Sequence, residues 1–204
     1  MNSTLSRCFW ATGVPDFYER CHDEEWGVPC FDEHKMFEML ILEGAQAGLS
    51  WQTVLAKRET YRKAFDQFNV EKIAKYSEAK VQKLMLDAGI IRNQLKIRAA
   101  ITNAQALQTL RETAPRPEFA LTDFFWKYVD GKPKQNALKS RADIKATTPE
   151  SDALSKALKK AGFKFVGSTI VYAHMQACGM VNDHLTSCWR YEAVREMGWQ
   201  RLGT

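Results

Sequence analysis

The alternation of apolar and polar positions along the chain reads as a succession of helices. Asp32 can cap a helix from Glu33 to Ala47, with Gly48 beyond it. Ser50 can cap a second that reaches Phe65, and Asn69 opens a short one. Ser77 opens another through Val81, Leu84 and Met85, stopping at Gly89. Asn93 to Leu110 is helical in period, with Leu95, Ala99, Thr102 and Ala106 on one face. Thr113 to Pro117 carries two prolines and is predicted to be a loop. An aromatic helix follows over Phe119 to Val129, then a polar surface connection from Asp130 to Thr148. Thr148-Pro149-Glu150 starts a helix with Pro at its first position, ended by Gly162. Gly167 to Cys178 is the last long helix, ended by Gly179. No stretch alternates with period two and no repeat is found. The predicted class is all-α, with helices packed around shared cores.

Composition sets bounds on this picture. With 204 residues, 45% apolar and 26% charged, the chain has the balance of a soluble globular protein, not of a disordered or collagenous one. The long uncharged run Phe165 to Val181 contains Ser168, Thr169, His174 and Gln176, too short and too polar for a membrane span. The first residues, MNSTLSRCFW, lack the apolar core of a secretory signal. A reducing cytoplasm is therefore expected, where five cysteines are not a disulfide set. The net charge of +5 divides unevenly: residues 1–43 hold nine acids and three bases, and the remainder nets +11. Such a division suits a polyanion partner for the later part, although lysines on a solvated face give the same count.

Four groups of residues carry candidate chemistry. Cys8 and His22 lie in the loop-like first thirty residues, and His184 and Cys188 stand four apart. Two thiolates and two imidazoles are a common structural zinc set. Their spacing matches no common finger, so zinc, core packing and free thiols stay open, with Cys21 a rival ligand. Cys30 and Cys178 read as packing residues. Glu43 is placed among Met39, Leu40 and Ala47 on its helix, either solvated at the edge of the stripe or at the base of a pocket. Trp10, Phe17, Tyr18, Trp26 and Phe31 crowd the acidic segment, and Trp51 follows Glu43. Rings beside a carboxylate suit a flat cation, although packing explains most of them, and Trp26 and Phe31 are assigned to the core. Asp87-Ala88-Gly89-Ile90-Ile91-Arg92 joins two helices by a tight turn that can offer N–H groups to a phosphate, with Arg92, Lys96 and Arg98 at hand. A generic helical hairpin reads the same way. Lys132–Lys145 and Lys156–Lys164 are basic stretches that could track a backbone or simply be solvated.

These residues together resemble the DNA-3-methyladenine glycosylase I family of bacterial base-excision repair. The carrying stretches are Cys8–Trp10, HDEEWGVP (His22–Pro29), FEMLILEGAQAGLSWQTVLAKR (Phe37–Arg58), DAGIIRNQLKI (Asp87–Ile97) and Thr148–His184. The resemblance implies an all-α fold of the helix–hairpin–helix glycosylase superfamily. Residues 1–32 and 165–188 would form a region joined by one structural zinc ion on Cys8, His22, His184 and Cys188, and 33–164 most of the helix–hairpin–helix core. It also implies that Glu43 holds the methylated base, that Trp51 stacks on it and that Tyr18 lines the pocket. Cys21 stands where the family commonly has a second base-contacting Tyr. Gly48 and Leu49 would approach the gap left by a flipped nucleotide, with Leu49 as a wedge. Gly89, Ile90 and Arg92 would grip phosphates beside it.

The implied reaction is hydrolysis of the N-glycosidic bond of 3-methyladenine in alkylated double-stranded DNA. It releases the free base and leaves an abasic site. Arg111 to Ala120 offers no Asp of the kind many helix–hairpin–helix glycosylases use, and Asp123 falls inside the next helix. A methylated adenine is already cationic, so its departure needs no strong general acid. No Lys stands where a Schiff base would form, so no strand cleavage is expected. A monomer in the bacterial cytoplasm, at the nucleoid, is the expected setting. The alternative is a non-catalytic zinc-containing protein that binds DNA damage, for which Cys21 is the best support. A metal-dependent hydrolase is disfavoured by four available ligands and the absence of an HExxH pattern.

Overall fold

The run from Met36 to Ala45 is apolar almost all round, and a helix of that kind must be surrounded. In the computed structural model, which describes residues 5–200, it is the axis of the fold. Helix α2 (Glu33–Gln46) is buried throughout that run and packs against α3 (Trp51–Leu55), α7 (Gln94–Thr113), α8 (Ala120–Trp126) and α10 (Ser168–Ala177). Phe37, Leu40 and Leu42 join Phe65, Phe68, Phe125, Leu154 and Met175 in one apolar core. The remaining α-helices are α1 (Asp16–Glu24), α4 (Arg58–Ala64), α5 (Val70–Ile73), α6 (Glu78–Leu86), α9 (Pro149–Lys160) and α11 (Trp189–Gln200). No helix among the described residues is long and apolar enough to cross a membrane.

Several boundaries differ from those read in the sequence. The helix expected from Ser50 to Phe65 breaks at Ala56–Lys57. The break lets Arg58 turn inward to Glu38 and Glu25. Helix α6 stops at Leu86, short of Gly89, and α7 continues to Thr113. The buried face of α7 runs through Ile97, Ala100, Ala104 and Leu107 and takes in Ala99 and Ala106 of the expected face, whereas Leu95 is 69% exposed. The polar connection after α8 contains a two-residue strand. Lys134–Gln135 (β1) pairs in parallel with Val181–Asn182 (β2), a register too short to leave a period in the sequence. The first thirty residues are not all loop, since α1 carries Cys21 and His22.

Two long-range contacts position the site. Lys96 of α7 donates from Nζ to the carbonyls of Ala45 and Ala47, each at 2.7 Å, tying the hairpin helix to the C-terminal end of α2. At the other side, Gly179 (φ +66°) ends α10 beneath the segment Gly27–Cys30. A Cβ there would stand 2.4 Å from the backbone of Val28 and Pro29, so only glycine lets the two chains cross. Val166, Val171, Met175 and Met180 belong to the main core, while the chain from Asn182 to Cys188 turns to meet α1.

Candidate active site and metal cluster

Helix α2 buries three carboxylates at five-residue intervals, not Glu43 alone as the sequence suggested. Glu33 accepts from Arg111 Nε at 2.8 Å and from the Leu121 N–H at 2.7 Å. Glu38 lies between Arg58, at 2.7 Å, and Arg62, at 2.8 Å. Glu43 is 4% exposed, and its Oε2 has no hydrogen-bond partner. What sets Glu43 apart is therefore not burial but the lack of a cation. Burial pushes its carboxyl up to about 8.

Glu43 faces a cavity of about 300 Å³ lined also by Trp10, Tyr18, Trp26, Trp51, Gln46 and Asp183, with Phe9, Ile144, Ala173 and Gln176 completing it. That volume is at the small end of ligand pockets, roughly 300–1,000 Å³, and suits one flat ring system. Trp10 meets Tyr18 edge-on at 5.8 Å and Trp26 at 4.9 Å. The aromatic walls surround an acid without a counter-ion, a chamber suited to a planar cation with N–H donors. A larger, more open depression at Asp32, His34, Arg111 and Phe119 lies by the first turn of α2. There Glu33 already has its arginine.

The structure brings Tyr18, Glu43 and Trp51 to this cavity and corrects the placement of Trp26, which lines it instead of the core. Cys21 is not on the lining. It is buried with Trp51, Met39 and Arg58 around a separate small void, and burial pushes its thiol up to about 11. Trp10, one of the rings set beside the carboxylate in the sequence, lines the cavity too, whereas Gln46, Gln176 and Asp183 were missed there. Asp183 adjoins the ligand candidate His184, and that adjacency was the signal available.

Cys8, His22, His184 and Cys188 converge, all buried, with their donor atoms within 4.8 Å of one another. Cys188 Sγ stands 3.5 Å from His22 Nε2 and 3.7 Å from His184 Nδ1, and Cys8 Sγ is 3.7 Å from His184 Nδ1. The edges of a tetrahedron with Zn–S and Zn–N bonds of normal length are about 3.5–3.8 Å. The opposite ring nitrogens are engaged as well: His22 Nδ1 with Asp23 Oδ1 at 2.8 Å, and His184 Nε2 with the Trp26 carbonyl at 3.0 Å. Such contacts fix ring orientation in metal sites. The donor set fits one tetrahedral zinc ion without a position for water, and Cys21 takes no part. His184 and Cys188 lie in a turn, not a helix. The Trp26–His184 bond joins the cluster to the wall of the cavity.

The hairpin Asp87–Arg92 is held from behind by α4. Lys57 Nζ donates to the Ala88 carbonyl at 2.7 Å, Thr60 donates to the Gly89 carbonyl, and the Ile91 N–H donates to the Tyr61 hydroxyl at 3.0 Å. The Gly89 N–H goes to Asp87 Oδ1, and the Ile90 side chain is in the core. Gly89 and Ile90 thus shape the turn, and their N–H groups are spent within it. The Arg92 side chain is exposed, and the first turn of α7 presents N–H groups beside it. Lys96 is engaged with α2, and Arg98 with Glu78. Leu49, 42% exposed, stands on the turn opened by Gly48 (φ +76°), beyond α2.

The sequence model of the methyladenine glycosylase family matches residues 10–191. The chain is 49% identical over 187 residues to DNA-3-methyladenine glycosylase 1 of Escherichia coli (strain K12), covering 92% of this chain and 97% of that protein. It superposes on a crystal structure of 3-methyladenine DNA glycosylase I with a TM-score of 0.85 and 52% identity, over 90% of this chain and 98% of the other. A variant of 3-methyladenine DNA glycosylase I in complex with 3-methyladenine matches with a TM-score of 0.84 at 34% identity, over 90% and 96% of the two chains.

Proposed function

The chain belongs to the methyladenine glycosylase family, and from that premise we propose that it removes 3-methyladenine from alkylated double-stranded DNA by hydrolysis. The observation that carries the reading is the unpaired Glu43 carboxyl inside an aromatic chamber of single-base size. A flipped 3-methyladenine is a flat cation. It can lie among Trp10, Tyr18, Trp26 and Trp51 and donate its amino hydrogens to Glu43. The C1′–N9 bond breaks, and its electron pair neutralises the departing ring. Water adds to C1′ and gives its proton to solvent, leaving free 3-methyladenine and an abasic site. Because the base leaves neutral, binding and orientation supply the catalysis. Glu43 is assigned to holding the base, not to attack on the sugar. Cys21, behind Trp51, would support that ring instead of touching the base.

Zinc fits the Cys8, His22, His184 and Cys188 set as a structural ion. It would tie residues 1–32 to 165–188 and brace the Trp26 wall, and 33–164 would form the helix–hairpin–helix core. Leu49 is assigned to the gap left by the flipped nucleotide, with Arg92 and the first turn of α7 on the phosphates.

Incubating the protein with methylated duplex DNA and identifying the released base by chromatography tests the reading. 3-Methyladenine is the expected product, and lesion binding without release would replace it with a damage-binding role. Two variants separate the assigned parts. Arg92→Ala is expected to weaken DNA binding uniformly across sequences and to lower the log–log salt slope by about 0.9. An unchanged slope would remove Arg92 from the phosphate contacts. Leu49→Ala is expected to slow release from duplex about tenfold while sparing single-stranded substrate, because the few kcal/mol of unstacking are then unsupported. Equal losses on both substrates would contradict the wedge.

A further inference from the structure

Asp183 lines the same cavity as Glu43 and is equally buried. Its carboxylate accepts three hydrogen bonds. Asn136 Nδ2 donates to Oδ1 at 2.7 Å, and the Tyr172 hydroxyl and Gln176 Nε2 donate to Oδ2 at 2.7 Å each. All three neighbours act as donors, and together they fix the carboxylate in the cavity wall. The donors are neutral, and among the described residues no ion pair reaches Asp183. Glu33 and Glu38 are buried anions too, but each has its arginine. The unexpected β1–β2 pairing serves this group, since it sets Asn136, one residue beyond β1, beside Asp183, one residue beyond β2.

We propose that Asp183 is the fixed anion of the base pocket and the residue that makes the site prefer a cationic purine to a neutral one of the same shape. The proposal rests on the cavity being the base site argued above. An anion shielded from water and compensated by no cation acts strongly on a positive ring entering beside it. A neutral adenine gains nothing from that field and still pays to leave the stack, so undamaged bases are turned away. Gln176 lines the cavity while donating to Asp183, which keeps the carboxylate aimed. Glu43 thereby meets the ring's donors and part of its charge, and Asp183 adds a second carboxylate on the wall.

The test compares binding of 3,9-dimethyladeninium, a permanent cation, with 3-methyladenine, neutral at pH 8, by tryptophan fluorescence. Wild type, Asp183→Asn and Glu43→Gln are titrated with each. Wild type should prefer the cation by about tenfold or more. Asp183→Asn should lose most of that preference while its affinity for the neutral base stays within about twofold. Glu43→Gln should bind both ligands more weakly and keep part of the preference, because Asp183 remains. A preference that survives undiminished in Asp183→Asn, or vanishes in Glu43→Gln, overturns the assignment. Because Asp183 adjoins His184, zinc content and circular dichroism accompany the variant. If it does not fold, Glu43→Gln decides alone, by keeping or losing the preference. A wild type that binds neither ligand and releases no base instead overturns the reading of the cavity on which the proposal rests.

Discussion

Glu43→Gln is expected to release 3-methyladenine from alkylated DNA about a hundredfold more slowly than wild type, with the fold intact. The loss follows from removing a charge-assisted partner that strengthens as the cation is seated in a dry chamber. Because burial holds the empty site's carboxyl up to about 8, kcat/KM of the wild type should rise with pH toward about 8, as the free enzyme gains the ionised form. The variant should lack that rise. Stability should move the other way. From the ordinary value of 4.5 up to about 8, the unfolded chain has released a proton that the folded chain retains, so wild-type stability falls as pH increases. The amide of the variant has no proton to lose. The variant's Tm should therefore gain on the wild type between pH 5 and pH 8. Melting curves at the two pH values check this, and a Tm difference independent of pH would show that Glu43 is not the buried acid described.

Loss of the metal cluster has the second large effect. His184→Ala is expected to abolish stoichiometric zinc and to lower Tm by roughly 8–16 °C, the shift that about 4 kcal/mol produces in a chain of this size. Removal of one ligand opens a four-point site that nothing else in that region replaces. The Trp26 carbonyl also loses its partner, so base affinity should fall together with stability. Metal analysis alongside melting curves settles the point. A variant that stays folded but inactive at wild-type Tm would favour an open, catalytic metal position over a structural one.

The helix starts were legible because their causes are local. The side chains of Asp32, Ser50, Asn69, Ser77, Asn93 and Thr148 all accept from the N–H three residues on. Features decided across the molecule were not. The break before Arg58 depends on Glu38, twenty residues away, and the β1–β2 pairing on chain far from either strand in sequence. The face of α7 was half legible: Ala99 and Ala106 are buried but Leu95 is not, because alanine-rich turns offer no strong stripe and packing against α2 and α5 chose among them. The motif residues Tyr18, Glu43 and Trp51 come together, but why Glu43 matters lies in what two neighbouring acids have and it lacks. The hold on Asp183 was not legible because its donors lie on two distant elements, Asn136 beyond β1 and Tyr172 with Gln176 on α10.

The proposed zinc site would also set when the molecule is finished. Cys8 and His184 are 176 positions apart, and Cys188 lies 166 beyond His22. A chain leaving the ribosome can form α2 and the core around it from nearer partners, but it cannot capture an ion with both ends until Cys188 has emerged. With the proposed zinc at this cluster, ion capture would be the closing step of biosynthesis, and a cell short of zinc would accumulate chains whose core is built and whose Trp26 wall is still unfastened.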